Sequence, residues 1–360
     1  MRAGVGRVAA KSPLRVPSPF NKPIPHINQP MNTRFKLVAA LSLAASMTAF
    51  ADVKINDQLS LGGYVVGSYQ LTDPDPGSST DRFDLDAVKT VFTGSFKPVT
   101  GVVSLFYPGP GGNDVTVLDG YFTYDAGNGA SITAGKFLSY LGYEAFDPVN
   151  MSQITYAPVT AGTLASIPAY HSGVRFDYSD KAWSFGAALV DSILGPTIFK
   201  GDSELRQNWG VEAYFKYTAI PNFTFWGGVA YDQKDNQATP GSASLTVWDV
   251  WAEYKIGTAT TLAAEFCVKN GGVGHRGDSW LVFLNQAFSP KFATTFRIGG
   301  QQLSGSSMRR TGADDYKQYT VSPSWKVSDN LSVRAEYSLY DYDGPRGNSN
   351  FFGVQGLFKF

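Results

Sequence analysis

Few residues beyond position 51 could carry out covalent chemistry. His171 and His275 are the only histidines there, and no Ser-His-Asp or paired-carboxylate spacing stands out, so no nucleophile or general base is set up. Cys267 is the only cysteine, which excludes an intramolecular disulfide, a cysteine metal cluster and a paired redox motif. It alternates with Phe266 and Val268 and reads as a small filler on an inward face. His275 lies in the glycine-rich string Gly271-Gly272-Val273-Gly274-His275-Arg276-Gly277, which lacks the strand-to-helix setting of a phosphate cradle. Asp73-Pro74-Asp75-Pro76-Gly77 and Asp341-Tyr342-Asp343-Gly344 offer carboxylates to a calcium ion, but neither is a twelve-residue ligand loop, and both read as solvated turns. No enzymatic activity, cofactor or metal is expected.

Charge is instead distributed by parity. From Asn208 to Tyr217, Trp209, Val211, Ala213, Phe215 and Tyr217 share one face, and Asn208, Gly210, Glu212, Tyr214 and Lys216 share the other. Leu331, Val333, Ala335, Tyr337 and Leu339 stand against Ser332, Arg334, Glu336 and Ser338 in the same way. So do Trp248, Val250, Ala252, Tyr254 and Ile256 against Asp249, Glu253 and Lys255. Such period-two strands present one face to lipid and the other to water.

The elements that must position these charges are therefore strands. Sixteen are predicted, at 59–71, 83–96, 101–107, 117–125, 130–138, 171–178, 183–190, 208–217, 223–232, 245–256, 260–269, 278–288, 292–301, 317–326, 331–340 and 352–360. Short turns such as Ala126-Gly127-Asn128-Gly129 and Ser179-Asp180-Lys181-Ala182 alternate with longer polar loops, the anatomy of an outer-membrane barrel. Hydrocarbon offers no water to unpaired backbone groups, so the last strand must close on the first. The predicted fold is all-β, a transmembrane antiparallel β-barrel of about sixteen strands. The alternative with the same alternation is a periplasmic two-sheet sandwich.

Export is written at the front of the chain. Arg34 and Lys36 precede the apolar run Leu37–Ala45, and Ala49-Phe50-Ala51 offers small residues at a cleavage site, so residues 31–51 read as a signal peptide removed after Ala51. The basic, proline-rich residues 1–30 would delay that signal, and Met31 reads as the true start; the alternative is a genuine extension. The barrel is assigned to 52–360. Setting aside residues 1–51 takes seven cations and no acids from 30 of each, leaving 23 basic and 30 acidic residues, about −7. A mildly acidic exported chain has no electrostatic case for binding nucleic acid.

The connection from Ser139 to Tyr170 is too long for a structureless loop without a purpose. Around it stand Ile132-Thr133-Ala134-Gly135-Lys136-Phe137, Gly142-Tyr143-Glu144, Asp147-Pro148, and Ile167-Pro168-Ala169-Tyr170-His171-Ser172-Gly173-Val174-Arg175. These motifs resemble the outer-membrane porin family labelled "putative β-barrel porin 2". At lower specificity the chain resembles the sixteen-stranded general porins, whose third extracellular loop follows the fifth strand and folds into the lumen. The resemblance implies that Ser139 to Tyr170 is a constriction loop, with Tyr140, Tyr143, Glu144 and Asp147 on it and Phe146 and Tyr156 as further anchors. His171, inside the motif, reads as a hydrogen-bonding anchor. It also implies that the last strand, with Phe352, Val354, Gly356, Phe358 and Phe360 outward, is the signature read by the barrel-assembly machinery. A homotrimer in outer-membrane lipid follows from the general-porin analogy alone.

The wall opposite the loop would be drawn from the inward residues Asp119, Tyr121, Arg175, Asp177, Glu212, Lys216, Asp249, Glu253, Glu265, Arg297, Arg334 and Glu336. Both signs are present, so a transverse field and a weak ion preference are expected. Each charge taken singly reads as a structural pair, whereas the loop as a whole reads as functional. The expected function is passive diffusion of small hydrophilic solutes or ions. The alternatives are a non-conducting adhesin or anchor, and a substrate-specific channel using Tyr121, Tyr214, Trp226 and Trp251 as a sugar-stacking path.

Overall fold

The structure is a computed structural model that describes residues 53–110, 112, 114–161, 166–193, 208–233, 244–271, 276–304, 315–344 and 347–360. The predicted signal peptide, residues 1–30 and His275 lie outside the described residues. Sixteen long strands follow in order: β1 (Leu59–Asp75), β2 (Thr80–Phe96), β3 (Val99–Tyr107), β4 (Thr116–Gly127), β5 (Ala130–Leu138), β6 (Tyr170–Ser179), β7 (Trp183–Val190) and β8 (Gly210–Tyr217). The second half is β9 (Phe223–Asp232), β10 (Leu245–Ile256), β11 (Thr260–Asn270), β12 (Arg276–Ser289), β13 (Phe292–Leu303), β14 (Asp315–Lys326), β15 (Leu331–Asp343) and β16 (Asn348–Lys359). Each pairs antiparallel with its chain neighbour, and β16 pairs with β1 from Lys359↔Tyr64 to Asn348↔Asp75. The ring is closed. Phe360 extends the seam: its N–H donates to the Gly63 carbonyl (3.0 Å) and its own carbonyl accepts from the Gly63 N–H (2.8 Å). A two-residue extended piece, Val53–Lys54, adds to β1 opposite Leu61 and Ser60.

The sixteen expected strands are all present. The ends differ most at the seam, where β1 runs on to Asp75 and β16 begins at Asn348. Asp73 and Asp75, read from sequence as turn residues, are therefore strand residues facing Asn350 and Asn348 in the ladder, and Asp341 and Asp343 likewise sit in β15. A proline-rich acidic string looks like a turn because it lacks N–H donors and favours local hydrogen bonds. Pairing with the closing strand overrides that preference.

Side-chain polarity follows the ladder. Along β8 the exposed Val211 and Phe215 alternate with the buried Glu212, Tyr214 and Lys216. Along β15 Leu331, Val333 and Tyr337 face out, and Arg334, Glu336 and Ser338 are buried. Aromatic pairs collect near the short-turn end, including Trp183 with Tyr217 (4.7 Å between ring centroids) and Phe292 with Trp325 (5.9 Å), as an interfacial girdle requires. The turns themselves are closed by side-chain caps. Asp180 accepts from the N–H groups of Ala182 (2.7 Å) and Trp183 (2.8 Å), which holds its carboxyl below the usual carboxylate range. Ser289 and Ser328 cap the turns before Phe292 and Leu331 in the same manner.

One inward glycine in β5 carries a sharp prediction. Gly135 has φ +129° and lies opposite Tyr121, and a Cβ there would fall 2.2 Å from the Gly120 carbonyl oxygen. Backbone strain and overpacking each cost about 1–3 kcal/mol. Gly135→Ala should therefore destabilise the barrel by about 3 kcal/mol, read as a lowered urea midpoint in lipid vesicles. An unchanged midpoint would show that the strand has shifted to accept the methyl group.

Candidate functional site

Among the described residues, three apolar clusters lie inside the ring, and each contains residues of the connection between β5 and β6. Leu141 and Val159 pack with Phe137, Tyr214, Trp226 and Val247. Ala169, with Phe146 and Val149 beside it, packs with Tyr64, Phe106 and Leu118; Ala157 packs with Leu281 and Phe283 beside Tyr143. The segment includes a 3-10 turn at Pro148–Asn150 and one helical turn, α1 (Pro158–Ala161). Gly299 of β13 makes room for α1, since a Cβ there would meet Pro158 Cδ at 2.8 Å.

An irregular segment brings unpaired backbone groups with it, and each must find a partner where water is excluded. The wall supplies them according to sign. Carboxylates on β8, β10 and β11 accept the N–H groups at the start of the segment. Glu212 takes Tyr140 N–H (3.1 Å) and the Ser139 hydroxyl (2.7 Å), Asp249 takes Gly142 N–H (2.8 Å), and Glu265 takes Tyr143 N–H (2.7 Å). Glu253 accepts the Tyr143 hydroxyl (3.0 Å). On the far side Glu336 of β15 accepts the N–H groups of Ile154 (2.5 Å) and Thr155 (3.2 Å) and the Thr155 hydroxyl.

Arginines take the carbonyls. Arg334 donates to the Gln153 (2.7 Å) and Pro148 (2.8 Å) carbonyls. Arg297 donates to the Thr155 carbonyl (2.7 Å) and to Glu144 (2.5 Å), whose other oxygen accepts Ala157 N–H (2.7 Å). Asp147, just before the 3-10 turn, accepts from Lys89 of β2 (3.0 Å) and the Tyr64 hydroxyl of β1 (2.8 Å). The segment is thus tied to strands on several sides of the ring. Charge-assisted bonds of this kind are roughly twice as strong as neutral ones.

Tyr140, Tyr143, Glu144, Asp147, Glu212, Arg297, Arg334 and Glu336 are therefore gathered on the segment and its contacts. Tyr140 lies tilted against Tyr214 (4.6 Å between ring centroids) and Tyr143 meets Trp251 edge-on (5.4 Å). Asp119 reaches the segment indirectly, through Lys89 (3.0 Å). Arg175 and Asp177 pair with each other (3.3 Å), and Arg175 lies over the rings of Phe137 (4.7 Å) and Tyr140 (5.4 Å). Lys216 is inward but sits with Glu253 and Lys255, making no hydrogen bond to the segment among the described residues.

Three expectations are corrected by this geometry. The wall charges Glu212, Arg297, Arg334 and Glu336 are at most 5% exposed, so they are spent on the segment and do not border open water as the sources of a transverse field. Tyr214 and Trp226 do stack, at 6.2 Å and nearly parallel, but both are buried beneath the segment and offer no open sugar path. His171 makes no hydrogen bond through either ring nitrogen among the described residues. It lies 3.6 Å from Glu212, packed edge-on against Phe137. Lys89, Tyr64, Gln153 and Thr155 were not foreseen. Lys89 had a signal, being a lone cation at an inward position between Ala87 and Val91.

A closed sixteen-stranded ring with an irregular segment bonded across its interior defines the porin class of transmembrane β-barrels. The sequence profile of the putative beta-barrel porin-2, OmpL-like, family matches residues 58–360, and the chain belongs to that family. It is an outer-membrane protein of the Gram-negative type. Among solved structures it is similar to OmpF of Salmonella typhi (16% identity, TM-score 0.65, covering 86% of this chain and 100% of that one). OprB of Pseudomonas putida (14%, 0.65, 84% and 94%) is also similar. So is OmpT of Vibrio cholerae in a trimer form (14%, 0.55, 84% and 100%). No curated protein matches by sequence.

Proposed function

We propose that the barrel is a water-filled channel for passive diffusion of small hydrophilic solutes or ions, with the segment from Ser139 to Tyr170 as its constriction. The observation that carries this reading is the tethering of that segment to inward side chains on β1, β2, β8, β10, β11, β13 and β15. A sixteen-stranded ring is wide enough for an aqueous channel, and a segment held inside it sets the bore. Because Lys89 is matched by Asp119 and Asp147, and Arg297 by Glu144, ion preference is weak.

Purified, folded barrel should give discrete steps in a planar bilayer, with reversal potentials in a salt gradient near zero. Folded protein that gives no steps would favour the non-conducting anchor. Block by one sugar and not by others would favour a substrate-specific channel. No catalytic role is proposed. A homotrimer, as in the trimer form of OmpT, is proposed on similarity alone. So is recognition by the assembly machinery through the strand ending in Phe360.

A further inference from the structure

The wall carboxylates that hold the segment are not equivalent. Asp249 and Glu265 stand on adjacent strands, β10 and β11. The register sets Asp249 against Cys267 and Glu265 against Trp251, so the two are diagonal neighbours on the inward face. Both are buried, at 0% and 3% exposure. One oxygen of each grips the segment at consecutive residues, Gly142 N–H and Tyr143 N–H. Among the described residues, the remaining oxygens, Asp249 Oδ1 and Glu265 Oε2, meet no donor, yet the two carboxyl groups lie within hydrogen-bonding reach of each other. Two facing carboxyl oxygens cannot bond without a proton between them.

Among the described residues, no cation donates a hydrogen bond to either carboxyl group. Facing it from the segment are Glu144, Tyr143 and Ser166. Glu253 faces it from β10, Cys267 and Lys269 from β11, and Ser279 from β12. Glu144 is engaged by Arg297, and Lys269 has interactions of its own. We propose that Asp249 and Glu265 share one proton and form a proton-linked latch that seats the start of the segment against the wall. With the proton in place, Gly142 and Tyr143 are held. When it leaves, two buried like charges repel and the segment start lifts from β10 and β11. The sign follows from linkage: the seated state binds a proton that the lifted, hydrated state has lost, so seating is complete at low pH and weakens as pH rises. If the channel reading holds, alkaline pH widens the bore. The latch itself does not depend on that reading.

The test is hydrogen exchange of peptides spanning residues 139–147 in the full-length barrel in liposomes, from about pH 6 to about pH 10, compared with Asp249→Asn. The amide of the variant can donate to Glu265 permanently, replacing the shared proton. The peptide carries no substitution, so intrinsic exchange cancels in the ratio of wild type to variant. That ratio should be near one at the acid end and climb by about tenfold per pH unit once the proton is lost, as one-proton linkage requires. Glu265→Gln should behave like Asp249→Asn and serves if the first variant does not fold, as judged by heat-modifiable mobility in gels. A ratio that stays flat with pH, or an alkaline rise retained in either variant, overturns the latch. A barrel that conducts nothing overturns only the channel reading.

Discussion

Deletion of Gly142 to Leu164 is expected to raise single-channel conductance several-fold while leaving the barrel folded. The ring is held by backbone ladders that do not involve the segment, and Leu138 and Tyr170 at its two ends are already paired across β5 and β6. A shortened connection therefore closes without strain, because loop-closure cost changes slowly with length. The carboxylates Asp249, Glu265 and Glu336 and the guanidinium groups of Arg297 and Arg334 lose their partners, but in the same step the space around them fills with water, which solvates them. Folding is checked by heat-modifiable gel mobility and conduction by planar-bilayer recording. A folded deletion variant with unchanged conductance would show that the segment does not set the bore, and would leave the anchor reading in its place.

The second large effect is at Arg297. Its side chain is fully buried and one nitrogen bridges Glu144 and the Thr155 carbonyl while the other reaches the hydroxyls of Thr155 (2.9 Å) and Thr320 (3.2 Å). Arg297→Met has nearly the right volume and none of the donors, and it strands Glu144 as a buried charge. Removing one partner of a buried pair costs about 3–5 kcal/mol. The urea midpoint in vesicles should fall accordingly. Glu144→Gln added to Arg297→Met should recover part of the loss, since no charge is then left unpaired. Arg297→Lys should rescue only in part, because an ammonium cannot reproduce the planar fork. A loss below about 1 kcal/mol, the range of exposed pairs, would mean that water reaches Glu144 and that the segment is loosely seated.

Much of the architecture was legible in the chain because barrel strands obey a local rule. Parity assigns each residue to lipid or lumen, so Phe215 against Glu212, or Val333 against Arg334, could be read without knowing a single contact. The even number of strands and their closure follow from the backbone's need for partners in hydrocarbon, which does not depend on side-chain identity. The length of the connection after Leu138 likewise marked it as functional before its path was known.

What parity could not decide is what an inward charge does once inside. Glu212, Asp249, Glu265, Arg297, Arg334 and Glu336 all appeared as candidates for a charged wall. Which of them takes an N–H, which a carbonyl and which remains beside another carboxylate depends on where an irregular segment, far away in sequence, comes to rest. Lys89 and Asp147 are separated by 58 positions and meet only because the ring brings β2 to the segment. The alternation and closure of this barrel were therefore determined by the sequence itself, through rules that act over two residues and along each backbone. The seating of the segment was decided by tertiary structure alone, because its donors and acceptors find partners only in the enclosed, water-poor space that the finished ring creates.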